Sequence, residues 1–255
     1  MTDMKTALIT GASGGIGLEI AHQLASQNYQ VTLVARNEEK LQKVMQSLNG
    51  NGHSILVVDL TVKEDLEKLA GHIKTVRYNV LINNAGAAVY GKFTEVQIED
   101  HLKVMRLNMD ALVVLSYAFL QNASAGDSLV NIGSLIGFSS LPGAAVYAGS
   151  KAFVTNFSES LWFEYKNKGI FVMGFNPGAT ASDFHENAGN TAKEFPKFVV
   201  SSVKEVSDKL FAALQERKQP RVVQGWNNKL MLFGFKFLSR KAGIKIMGNL
   251  SPGIS

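Results

Sequence analysis

A doubly wound α/β fold, with helices on both faces of a parallel sheet, is what this sequence predicts, on three observations. Short Val, Ile and Leu runs of strand length recur along the chain, amphipathic stretches of helical period separate them, and a glycine cluster follows the first run. A strand apolar on both faces belongs in a covered sheet, and strand and helix alternation connects parallel neighbours. Although 255 residues are long enough for two domains, no linker, composition break before residue 216 or internal repeat divides them. One domain is expected.

The elements follow in order. Lys5 to Thr10 is the first strand, and an amphipathic run from Ile16 to Gln27 comes after the glycines. Tyr29 to Ala35 reads as strand, Asn37 to Leu48 as helix, Ser54 to Asp59 as strand and Thr61 to Val76 as helix, with Thr61 and Glu64 spaced as a capping box. Strands at Val80 to Asn83, Ser128 to Ile132 and Ile170 to Phe175 alternate with helices at Ile98 to Gln121 and Tyr147 to Asn167. Ligands of such folds bind outside the carboxyl ends of the strands.

Composition narrows the function. With 46% apolar and 18% charged residues the chain is globular, and with no cysteine it has no disulfide, thiolate metal site or cysteine nucleophile. Any redox chemistry must come from a cofactor. The five histidines form no HxxxH pair or carboxylate cluster, so no metal is expected. The first ten residues lack the apolar core of a secretion signal, and no run approaches the roughly 20 apolar residues of a membrane span. A cytoplasmic protein is expected. Of the net charge of +5, the segment after Glu216 supplies eight Lys or Arg and no acid, which leaves the body at −3. Nothing in that body suggests nucleic-acid binding.

The first strand leads through Gly11, Ala12, Ser13, Gly14, Gly15, Ile16 and Gly17 into a helix. Such a turn presents backbone N–H groups and the positive end of a helix dipole to a pyrophosphate, the Rossmann-like arrangement. Gly11 permits the tight turn, Gly15 close approach of phosphate, and Gly17 close packing of helix on strand. The strict GxGxxG spacing is absent.

TGASGGIG resembles the TGxxxGIG motif of the short-chain dehydrogenases/reductases, and further landmarks carry the resemblance to about residue 185. Asn83, Asn84, Ala85 and Gly86 stand as NNAG, Ser134 follows the fifth strand, Tyr147 and Lys151 form YxxxK, Asn108 lies in the long helix between, and Pro177 and Gly178 match PG after the sixth strand. The resemblance implies a nicotinamide cofactor bound by Gly11, Ser13, Gly15, Ile16, Gly17, Asn84, Ala85, Gly86, Pro177, Gly178, Thr180 and Ser182, together with Tyr147 and Lys151. Asn83 is expected on the cofactor floor, and a purely structural role stays open for Asn84. NAD enzymes of this kind carry an acid at the end of the second strand, where this chain has Arg36 followed by Asn37. A planar cation suits a 2′-phosphate, which Ser13 and Asn37 would also meet, so NADP(H) is favoured over NAD(H). Asp59, with Leu60 beside it, is read as touching the adenine amino group or as a helix-entry residue.

Tyr147 and Lys151 share a helix face at i and i+4. A phenol titrates near 10, and a cation about 4 Å away at an effective dielectric of about 20 contributes on the order of 4 kcal/mol toward lowering that value, against burial. The expected working value is below 10. By resemblance, Tyr147 is the general acid and base, Lys151 also binds the nicotinamide ribose, Ser134 steadies the substrate oxygen, and Asn108 bends its helix and holds a proton-relaying water.

Leu135, Ile136, Phe138, Leu141 and Pro142 suggest an apolar substrate wall. The polar, aromatic run after Thr180, about 180 to 200, reads as a mobile lid with Phe184, His185 and Phe195 toward the pocket. A lipophilic ketone or alcohol is the expected substrate. Phe153, Phe157, Leu161, Trp162 and Phe163 are too many apolar groups for one core-facing stripe of the Tyr147 helix, and the resemblance implies that such a helix forms a subunit interface, so a homodimer or homotetramer is expected. Beyond a domain of 1 to 224, the tail 225 to 255 mixes apolar residues with five cations, with Lys229, Lys236 and Arg240 on one stripe. It is read as a peripheral segment on anionic lipid, or as a helix packed on the pocket or on another subunit. A silent dinucleotide sensor and a lipid-associated scaffold are the alternatives to an enzyme.

Overall fold

The computed structural model describes residues 4 to 182, residue 184 and residues 200 to 251. The apolar runs form a seven-stranded parallel sheet of order β3-β2-β1-β4-β5-β6-β7. Its strands are β1 (Thr6–Thr10), β2 (Gln30–Ala35), β3 (Ser54–Val57), β4 (Val80–Asn83), β5 (Ser128–Ile132), β6 (Phe171–Asn176) and β7 (Arg221–Val223). Between them run α1 (Gly15–Ser26), α2 (Glu38–Ser47), α3 (Lys63–Thr75), α4 (Ile98–Met105), α5 (Ala111–Asn122), α6 (Ala145–Tyr165) and α7 (Val203–Glu216), and α8 (Trp226–Phe235) and α9 (Arg240–Asn249) follow β7.

Alternation along each strand builds two apolar layers. Ala7 and Ile9 of β1 pack with Ile20 and Leu24 of α1 and Leu210 of α7 on one face. Leu8 packs with Leu69 of α3 and Leu115 and Phe119 of α5 on the other. Each such side chain contributes roughly 1.5–3 kcal/mol on burial, so a slip of one residue in register would empty both layers. The strand order reverses between β1 and β4, the position outside whose carboxyl ends folds of this kind bind their ligands.

Several boundaries differ from the sequence reading. The capping box expected from Thr61 and Glu64 does not form: α3 begins at Lys63 after Val62, which makes no side-chain cap. Thr61 instead gives both its backbone N–H (2.9 Å) and its hydroxyl (2.7 Å) to Asp59 Oδ1. A carboxylate two residues upstream takes both donors in a tight turn, and so outcompetes the distant Glu64. The helix expected from Ile98 to Gln121 is interrupted by a π turn, Arg106–Asp110. A true capping box occurs at Ser202 and Glu205, ahead of α7.

Candidate active site

The glycine turn has the geometry a phosphate cradle needs. Gly11 and Gly15 adopt left-handed φ of 66° and 56°, where a side chain is strained. A Cβ at Gly17 would collide with Gly11 O and stand 2.6 Å from Asn84 Nδ2, so only glycine lets α1 lie this close to β1. Gly14 supplies no side-chain cap to α1, and the first turn carries no acid. Those first-turn N–H groups and the helix dipole thus remain available to an anion, which is what a dinucleotide pyrophosphate requires.

Hydrogen bonds tie this turn to β4. Asn84 Nδ2 donates to Thr10 O (2.9 Å) and Gly11 O (3.1 Å), while Thr10 Oγ1 accepts from the N–H groups of Asn84 and Ala85 (3.0 Å each). Asn84 therefore acts through the backbone of the turn. Arg36 is exposed just after β2, and Asn37 Oδ1 caps α2 by accepting from Lys40 N at 2.8 Å. That cap commits the oxygen of Asn37. Burial raises the Asp59 carboxyl, but the Thr61 hydrogen bonds and the charges of Arg36 and Lys103 outweigh it and hold the group below its ordinary value. Leu60 is buried beside it.

Ser134, Tyr147 and Lys151 converge at the carboxyl end of β5. Ser134 ends the extended chain and caps a 3-10 turn, Leu135–Phe138, its Oγ accepting from Ile136 N at 3.3 Å. A Cβ at Gly137 would stand 2.7 Å from Lys151 O, so that turn lies against α6 only because the residue is glycine. Burial pushes the Tyr147 phenol up to about 12, against a hydrogen-bonding Ser134 side chain that draws it down. This corrects the expectation of a value below 10: ring packing desolvates the oxygen, and the nearby cation does not offset that. Burial likewise brings Lys151 down to about 8, with Nζ donating to Ile132 O at 2.8 Å.

Asn108 lies in the π turn, a helical interruption frequent at functional sites. Its side chain is fully engaged: Oδ1 accepts from Ala87 N, and Nδ2 donates to Ala87 O and Ser150 Oγ, each at 2.9 Å. It fastens the strand after Gly86 to α6. A Cβ on Gly86 would stand 3.3 Å from Asn108 Oδ1 and 3.4 Å from Lys151 Nζ, which places that glycine beside the Tyr147 and Lys151 pair.

The expected apolar wall is in part present. Tyr147 packs in a cluster with Leu141, Ile136, Tyr90, Phe184 and Met247, its ring 6.4 Å from that of Tyr90 and 5.9 Å from that of Phe184. Leu135 lies at the mouth, its N–H bonded to Pro177 O at 2.8 Å, and Pro142 is covered by the tail. Thr180 turns inward and donates to Gly178 O at 3.1 Å. Ser182 sits across from the glycine turn, its Cβ 3.7 Å from where one on Gly15 would stand. His185 and Phe195, with most of the expected lid, fall outside the described residues. A cavity of about 410 Å³ opens among Phe138, Leu141, Pro142, Ala148 and Arg240, but none of Ser134, Tyr147 and Lys151 lines it.

Sequence reasoning missed Tyr90 and Gly137, and it left open which residues of the tail meet the site. Asn228 of α8 packs on Gly178 and donates from Nδ2 to Gln224 O at 2.7 Å. Met247 of α9 joins the Tyr147 cluster, and Ser251 donates to Pro142 O at 2.5 Å. The reading of the tail as a helix on the pocket is thus observed on its inner side. Only its buried Asn228 and the polar Ser251 hinted at an anchored face.

Comparison with known proteins accords with this geometry. Residues 5–193 match the family model of the short chain dehydrogenases. The chain is 34% identical over 192 residues to a 3-oxoacyl-(acyl-carrier-protein) reductase of Rickettsia bellii, covering 74% of this chain and 78% of that one. It superposes with a TM-score of 0.84 and 30% identity on a short-chain dehydrogenase from Sphingobium yanoikuyae in complex with NADPH, over 91% and 92% of the two chains. With a bulky-bulky ketone specific alcohol dehydrogenase from Comamonas testosteroni the TM-score is 0.77 at 26% identity, over 94% and 96%. With the family model matched over residues 5–193 and relatives aligned over most of both chains, the chain belongs to the short-chain dehydrogenases/reductases.

Proposed function

We propose that the protein transfers hydride between NADP(H) and a carbonyl or alcohol whose body is apolar. The observation that carries the reading is the convergence of Ser134, Tyr147 and Lys151 beside Gly86, in the same loop as the Asn84 and Ala85 that contact the glycine turn. A bound nicotinamide supplies or accepts the hydride. Tyr147 gives its phenolic proton to the substrate oxygen in reduction and takes it back in oxidation, and a phenol held near 12 arrives at neutral pH as the acid. Ser134 donates a hydrogen bond to the same oxygen as charge develops on it. Lys151 would hold the ribose hydroxyls of the bound cofactor and set its ammonium near the phenolate, and Asn108 is a positioning residue that holds the Ala87 segment against α6.

Arg36 supports NADP(H), because the carboxylate an unphosphorylated ribose prefers is replaced by an exposed guanidinium. The rings of Tyr90, Tyr147 and Phe184 with Ile136, Leu141 and Met247 support an apolar substrate. The exposed Phe163 and the stacked Phe153 and Phe157 of α6 support a contact between copies in a homodimer or homotetramer. Tyr147→Phe keeps the ring and removes the proton. It is expected to lower kcat at least about 10²-fold while leaving the affinity for NADPH within about threefold. Turnover of a panel of aliphatic and cyclic ketones, followed by NADPH consumption, is the measurement, and a Tyr147→Phe protein that keeps its rate overturns the proposal.

A further inference from the structure

The inner sides of α8 and α9 are anchored at Gly178 and Pro142, yet their outer sides expose apolar groups that a folded chain ordinarily hides. Trp226, Leu230, Phe233 and Phe237 follow one another at helical spacing down a single stripe of α8 and its last turn, and are 78%, 60%, 57% and 75% exposed. The rings of Phe233 and Phe237 meet edge-on at 5.1 Å, so the stripe is continuous. Asn228, Leu232 and Phe235 occupy the opposite, body-facing side, which shows that the exposure is selective. Lys229 and Lys236 flank the stripe, Arg240, Lys241 and Lys245 continue along α9, Ile244, Ile246 and Leu250 stand exposed among them, and no acid occurs after Glu216.

We infer that this outer face is a docking surface for an anionic lipid bilayer, on which the helix pair lies with its aromatic stripe in the interface and its cations among the headgroups. Charge decides between occupants. A two-fold contact with a second copy sets the patch against itself, facing Lys229, Lys236, Lys241 and Lys245 with the same four and with no carboxylate from the tail between them. An anionic headgroup layer neutralises these four while the rings of Trp226, Phe233 and Phe237 leave water. No helix among the described residues is long and apolar enough to cross a membrane, so the contact is peripheral. Because α9 also delivers Met247 to the Tyr147 cluster, the docked face and the substrate wall share one helix. The inference stands apart from the proposed hydride transfer, since it rests on residues outside that site.

The test is sedimentation of the full chain with vesicles of phosphatidylcholine alone and of phosphatidylcholine with about one-third phosphatidylglycerol. Binding is expected to favour the anionic vesicles at least about tenfold and to fall as salt rises. Lys229→Glu with Lys236→Glu is expected to lower it at least about 25-fold, about fivefold for each cation lost, with the two new carboxylates adding repulsion. Leu230→Asp with Phe233→Asp is expected to lower it at least about tenfold, with the melting temperature unchanged or raised and ketone reduction retained. Failure to bind anionic vesicles, equal binding to both vesicle types, or binding that survives both double substitutions overturns the inference. So does a fall in particle mass by light scattering for Leu230→Asp with Phe233→Asp in a protein that ignores vesicles, a result that would assign the face to a second copy.

Discussion

Replacing Lys151 with Met is expected to stabilise the protein at neutral pH while disabling it, because the ammonium is held where its charge is costly. Burial brings this group to about 8, against 10.5 for an exposed lysine. At about 1.4 kcal/mol per tenfold change, the difference corresponds to about 3 kcal/mol. Below pH 8 the lysine is charged in both folded and unfolded chains, so the full penalty weighs on the folded state. Between 8 and 10.5 the folded chain has released its proton while the unfolded chain still holds one, so stability rises with pH. Above 10.5 the penalty is gone. Methionine has no such dependence, but it leaves Ile132 O without its 2.8 Å donor, a loss of about 1–3 kcal/mol. Lys151→Met is therefore expected to be more stable by up to about 2 kcal/mol at pH 7, and less stable by about 1–3 kcal/mol at pH 10.5. Urea melts of both proteins at matched pH values give the difference curve, in which titrations common to both cancel. The curve should fall by about 3 kcal/mol from pH 7 to 10.5. Parallel stability curves would refute the reasoning, since they would mean that the ammonium is solvated in the folded chain.

Two further substitutions probe the residues expected to hold the cofactor, and a third serves as their control. Arg36→Ala removes a charge-assisted contact of about 1.5–3 kcal/mol, so kcat/KM should fall about 10- to 100-fold with NADPH and less than about threefold with NADH. An unchanged ratio between the cofactors, from initial rates with each, would detach Arg36 from the 2′-phosphate. Gly17→Ala forces a methyl onto Gly11 O and Asn84 Nδ2 and should cost about 1–3 kcal/mol in thermal unfolding. Gly71→Ala, on the exposed face of α3 with open space around it, should gain about 0.5–1 kcal/mol, and equal effects at the two positions would contradict the close approach of α1 to β1.

What could be read from the sequence was whatever is written in local spacing. Continuous apolar runs announced β1 to β6, the glycines announced the turn before α1, and i and i+4 placed Tyr147 and Lys151 on one face. The three residues of β7 are too few to show a pattern. The π turn has no composition of its own, since an i to i+5 bond is imposed by what Asn108 reaches across space. The Tyr147 phenol stands above the expected value because the extent of its burial, to which the rings of Tyr90 and Phe184 contribute from dozens of residues away, cannot be read from local spacing, whereas the charge at i+4 can. For the same reason Gly137 looked like any loop glycine, its partner being the carbonyl of Lys151. The two sides of the tail are distinguishable only once Asn228 and Met247 have found their neighbours.

Tyr147 and Lys151 both lie where burial works against their charged forms, so something else must hold them in register. Beneath them runs a chain of neutral amides and hydroxyls. Asn83 Nδ2 donates to Ser116 Oγ (3.1 Å) and Asn131 Oδ1 (2.9 Å), and Asn131 Nδ2 to Ser158 Oγ (3.0 Å). Farther along, Thr155 Oγ1 donates to Asn176 Oδ1 at 2.9 Å, and Ser150 links α6 to Asn108. These bonds stitch β4, β5, β6 and α5 to the helix that carries the pair. A neutral bond nets only about 1 kcal/mol, but breaking one strands a buried polar group, so the network resists deformation more than its sum suggests. Ion pairs in the same place would carry a desolvation cost and shift the two values that matter. With amides and hydroxyls underneath, the scaffold keeps its geometry as pH changes, and the titrating groups of the pair are the ones that exchange protons.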